Sequence, residues 1–114
     1  MSLDDTGKID LWSEEKNFSA AIGIGSHIEG YNNLTISELS HVEGAKNLVT
    51  GMRAHAEGES NSAIGVNSHA EGFENLAIGN CSHVEGVNTI ANEYASHAEG
   101  GKTQANGVGS HAEG

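Results

Sequence analysis

Seven histidines stand 14 residues apart, at His27, His41, His55, His69, His83, His97 and His111, and the chain has no other. Each is followed by a small apolar residue, then Glu and Gly, so Glu29, Glu43, Glu57, Glu71, Glu85 and Glu99 form a second column that ends at Glu113. An imidazole two residues from a carboxylate could transfer protons, hold a transition metal, or form a charge ladder that responds to acid. Repetition argues against the first, because a catalytic residue is singular and this histidine recurs in every unit. No Gly-x-Ser-x-Gly elbow and no nonapeptide calcium repeat is present, and no enzyme activity and no cofactor are expected. A metal site needs three or four converging ligands with second-layer support, whereas columns on a flat outward face should diverge, so no metal site is expected either. The columns should pair His beside Glu and solubilise the surface. Were the sheet to face the other way, the histidines would line an axis of association, and metal or anion binding would become plausible there.

The elements that carry these columns follow from a finer period. Ser68-His69-Ala70-Glu71-Gly72 aligns with Asn75-Leu76-Ala77-Ile78-Gly79 seven residues later. Each segment alternates with period two, the pattern of a strand, and two residues separate it from the next. A coiled coil is excluded, because Gly closes nearly every heptad and the regular positions hold Ser, Ala and Gly rather than large apolar residues. Two short strands and two turns make one coil, and stacked coils make a parallel, all-β, two-sheet solenoid with 14-residue coils. Gly at the segment ends should supply the left-handed conformations of tight turns. Ser37 and Glu93 replace the glycine of the second turn, so those turns should be irregular.

A two-strand coil is thin, and only small residues fit inside it. The interior columns are expected to be Ala63, Ala77, Ala91 and Ala105, facing Ile28, Val42, Ala56, Ala70, Val84, Ala98 and Ala112. One outer face then carries His and Glu. The other carries Ile22, Leu34, Ile36, Leu48, Ile64, Leu76, Ile78 and Ile90, which as an exposed patch would be unusual for a soluble monomer. These eight residues are therefore expected to form a self-association interface. Ser62, Gln104, Thr50, Asn92 and Asn106 interrupt it. If each His lay closer to Glu than to another His, acid would relieve Glu–Glu repulsion and the folded histidine pKa values would be raised, so the protein would be at least as stable at mildly acidic as at neutral pH.

Composition bounds the partners. The formal net charge is −11, with five Lys and Arg against sixteen Asp and Glu, which argues against nucleic acid and against direct contact with an anionic membrane. Cys81 is alone and reads as an incidental turn residue. Residues 1–16 depart from the repeat and form either a cap, with Ile9, Leu11 and Trp12 over the first coil, or a lead-in. Residues 17–114 form seven repeats, read as a fragment of a longer protein because the pattern stops on a complete Ser-His-Ala-Glu-Gly without a cap.

The unit Asn61-Ser62-Ala63-Ile64-Gly65-Val66-Asn67-Ser68-His69-Ala70-Glu71-Gly72 resembles the head repeats of trimeric autotransporter adhesins, the YadA-like or haemagglutinin repeats. The likeness runs from about Asn17 to Gly114. It implies a left-handed parallel β-roll packed as a homotrimer. It also implies a virulence-associated, cell-surface module that mediates adhesion to a host matrix protein or glycan, anchored in the outer membrane by other parts of the full-length protein. The Ser-His-Ala-Glu-Gly variant is equally similar to repeats of phage tail fibres and other surface fibres. That alternative implies a structural segment of a virion.

Overall fold

A computed structural model describes residues 19–114. The expected cap or lead-in at residues 1–16 lies outside the described residues.

Among the described residues, fourteen strands alternate between two seven-stranded sheets. The first sheet holds the His–Glu segments: β2 (His27–Tyr31), β4 (His41–Ala45), β6 (His55–Glu59), β8 (His69–Phe73), β10 (His83–Val87), β12 (His97–Gly101) and β14 (His111–Glu113). The second holds β1 (Ala20–Ala21), β3 (Leu34–Thr35), β5 (Leu48–Val49), β7 (Ser62–Ala63), β9 (Leu76–Ala77), β11 (Ile90–Ala91) and β13 (Gln104–Ala105). Every pairing is parallel, between strands of consecutive coils. The register places His83 on His69, Glu85 on Glu71 and Gly86 on Gly72. The chain is thus a parallel β-solenoid of seven 14-residue coils, as the spacing predicts. The second segment is shorter than expected. Only two residues are strand, although the amide of Ile78 still donates to Ala91 O in the next coil at 2.9 Å before the chain bends.

Alternation decides what lies between the sheets. Ala63, Ala77 and Ala91 are fully buried, opposed by Val42, Ala56, Ala70, Val84 and Ala98, with Ile28 and Ala112 half-buried at the ends. A core of such small residues removes little apolar area per coil, and it is supplemented by polar ladders. Asn33, Asn47, Asn61 and Asn75 are buried in one column. The Asn61 amide donates to Glu57 O at 2.7 Å and Gly72 O at 2.9 Å, and its Oδ1 accepts from Asn75 N at 3.1 Å. One side chain therefore closes its own turn and binds the next coil, which satisfies backbone groups that a thin interior could not hydrate. Thr89 continues the column, donating its hydroxyl to Asn75 Oδ1 at 2.7 Å.

The expected left-handed glycines are present at the ends of the His–Glu segments, as at Gly30 (φ 111°) and Gly86 (φ 111°). The second segment differs: Gly65 and Gly79 are not left-handed, and Asn67 (φ 59°) and Cys81 (φ 61°) take that conformation two residues on, as Glu74 (φ 57°) does after Gly72. Close approach requires glycine at Gly65 and Gly72, one at each segment end. A Cβ on Gly65 would lie 2.2 Å from Gly79 O, and one on Gly72 (φ 113°) would lie 2.2 Å from Gly86 O. The turns at Ser37 and Glu93 are not irregular either. They bend like the others, with left-handed Leu39 (φ 55°) and Ala95 (φ 57°) two residues on. Ser37 Oγ donates to Gly51 O at 2.8 Å, and the Glu93 amide donates to Ser96 Oγ at 3.2 Å, the bond that Gly107 makes to Ser110 Oγ at 3.1 Å.

Candidate functional site: a histidine–glutamate ladder

The parallel register stacks like on like, so the outer face of the first sheet is a continuous ladder. Imidazole centroids of consecutive coils lie 4.5 to 4.9 Å apart. The planes are 32° apart at His27–His41, 5° at His69–His83, 23° at His83–His97 and 3° at His97–His111.

The glutamates lean toward the rings instead of away from them. Within a coil, His69 Nε2 lies 3.7 Å from Glu71 Oε2, and the other oxygen of Glu71 lies 3.9 Å from His83 Nε2. Glu85 straddles His83 and His97 in the same way, at 3.8 and 3.7 Å. Glu99 straddles His97 and His111, at 3.8 and 3.3 Å. The structure thus corrects the expectation of diverging columns: a Glu side chain two residues from its His reaches diagonally to the coil above. The expected His-beside-Glu pairing is present both within and between coils.

Stacking also removes water. The side chains of His69 and Glu71 are 33% and 34% exposed. Burial pushes the His69 imidazole below the ordinary histidine value of 6.5, and the neighbouring charges of His55 and His83 push the same way. His83 is lowered by burial and then by His97. The glutamates oppose this but do not prevail, so the expectation of raised histidine values is reversed for these two. Their lost hydration and the like charges above and below outweigh the nearby carboxylates. Glu85 is held below the usual carboxylate range, first by hydrogen bonding with the carboxyl groups of Glu99 and Glu71, then by His83 and His97.

Beside the glutamates the exposed glycines leave an open furrow of about 570 Å³, lined by Glu57, Gly58, Glu71 and Gly72 among others. It could receive the edge of an extended ligand.

The opposite sheet carries the eight aliphatic residues expected at an interface. Leu34, Leu48, Ile64, Leu76 and Ile90 are half-buried, and Ile22, Ile36 and Ile78 are exposed by 68%, 50% and 39%. All eight project from the same outer face. The sequence reading missed a neighbouring apolar column in the turns that follow. Ile24, Met52, Tyr94 and Val108 are exposed there, at multiples of 14 residues, with Val66 half-buried between them. The spacing alone signals this column, but Glu38 and Asn80 interrupt it.

No protein-family model matches the chain, and no curated protein matches it.

Proposed function

We propose that this chain is a non-catalytic adhesin head, displayed on a cell surface as a homotrimer of left-handed rolls. The observation that carries the reading is the contrast between its two outer faces. One sheet is polar and acidic, while the other presents Leu76, Ile78 and their repeats beyond a core too thin to hold them. A large apolar face beside so small an interior is best used by a second and third copy. The number three and the left hand come from the resemblance to YadA-like head repeats. With the apolar face shared, the His–Glu sheet is left to meet a host matrix protein or glycan, where a repeated weak contact would gain from avidity.

Sedimentation equilibrium tests the assembly. A trimer at micromolar concentration is expected, and a stable folded monomer would overturn it. A panel of immobilised matrix proteins together with a glycan array tests the binding. A well-formed trimer that captures nothing would instead favour a structural segment of a phage or surface fibre.

A further inference from the structure

The Nε2 atoms of His41, His55, His69, His83 and His97 are buried from solvent and make no hydrogen bond. Buried polar atoms of this kind call for a partner. Carboxylate oxygens approach all five within the coil, at 3.6, 3.6, 3.7, 3.8 and 3.8 Å for His41, His55, His69, His83 and His97. These gaps are too long for a hydrogen bond. They suit two ligands of one ion, since atoms about 2.0–2.1 Å from zinc at the tetrahedral angle stand about 3.4 Å apart. The donor atoms of His69, Glu71 and His83 all lie within 4.8 Å of one another, and the same holds for His83, Glu85 and His97.

We propose that the ladder is a linear array of sites for a divalent transition-metal ion of the zinc class. Each ion is held by histidines of two consecutive coils and by the glutamate that straddles them. Two imidazoles and a carboxylate are the donor set that such ions prefer over Mg²⁺ or Ca²⁺, with solvent free to complete the shell on the open side. Ligand atoms at the tetrahedral angle stand about 3.4 Å apart, so donor atoms that lie within 4.8 Å of one another need to close by up to about 1.4 Å. The surplus of sixteen acids over five bases raises the local cation concentration.

The arrangement also fixes a count. A neutral imidazole offers Nε2 one lone pair, so a histidine serves one ion and adjacent gaps cannot both be filled. Seven histidines taken in pairs hold three ions and leave one ring over. The inference does not rest on the trimeric packing proposed above, because it concerns the sheet opposite the apolar face.

The test is Zn²⁺ titration by calorimetry on the full chain. Saturation at three ions per chain is expected, with no comparable binding of Mg²⁺ or Ca²⁺. Two triple variants separate adjacency from histidine number. H41Q/H69Q/H97Q leaves four histidines with no two in consecutive coils and should abolish tight binding. H27Q/H41Q/H111Q leaves His55, His69, His83 and His97 and should retain two ions. Equal binding by the two variants, or no saturable binding by the wild type, overturns the proposal. Should either variant misfold, nitrogen-15 NMR of the wild-type imidazoles decides. Zn²⁺ is expected to move the Nε2 resonances, and unmoved Nε2 resonances at saturating Zn²⁺ would refute the assignment.

Discussion

The imidazoles of His69 and His83 stack at 4.7 Å with their planes 5° apart, and the two oxygens of Glu71 reach one ring each. Each ring is therefore shielded from water by its neighbours, while its nearest compensating charge is a carboxylate just beyond hydrogen-bond length.

Acid should destabilise this arrangement. His69 and His83 bind a proton less readily folded than unfolded. Their contribution is fully present above the unfolded value near 6.5 and is lost as pH falls through the lowered folded values. Glu85, also lowered, acts in the same direction at more acidic pH. Thermal melts in chelator should show a lower melting temperature at about pH 5.5 than at about pH 7.5, the window set by the ordinary histidine value. Equal or higher stability at the lower pH would mean that the carboxylates dominate after all.

The interface is open to a paired-charge test. Leu76→Asp with Ile78→Asp should dissociate or unfold the proposed trimer, since unpaired buried carboxylates cost several kcal/mol. The same exchange at His69, in the other sheet, should leave the sedimentation coefficient unchanged. A double variant that remains trimeric would place the interface elsewhere.

The interior should reject volume. Ala77 is fully buried between the sheets. Ala77→Leu has no space to fill and should cost about 1–3 kcal/mol per chain by overpacking. An unchanged denaturation midpoint would contradict the packing described for this column.

The asparagine column should be more sensitive than its size suggests. Asn61→Ala removes the donors to Glu57 O and Gly72 O and the acceptor for Asn75 N. Each buried group left unpaired costs about 1–3 kcal/mol. Amide exchange should accelerate first at Asn75, whose N–H loses its partner, and an Asn75 amide that stays protected would mean that another acceptor replaces Asn61 Oδ1.

Most of the architecture is legible in the sequence because the repeat imposes it. With a 14-residue period and two-residue alternation, Ala77 can only face inward once Leu76 and Ile78 face outward. What was not legible depends on distances between coils. The reach of Glu71 to His83 is a diagonal across the stack, invisible to a reading along one strand. The role of Gly65 is likewise set by Gly79 O of the next coil, so it was misread as a turn requirement. The placement of Ser37 and Glu93 in ordinary turns shows that this turn does not require glycine in every coil. The apolar turn column beginning at Ile24 was overlooked because Glu38 and Asn80 break it.

The strict coil-on-coil register has a consequence for how such a chain can change length. Removing or duplicating 14 residues returns His to His and Leu to Leu, so the rod shortens or grows by one strand spacing, roughly 4.8 Å, with both faces preserved. A slip of seven residues would instead carry every later Leu onto the charged side and every later His onto the apolar side. Reach can therefore be adjusted in whole coils only, and the gene behaves as a ruler with one permitted graduation.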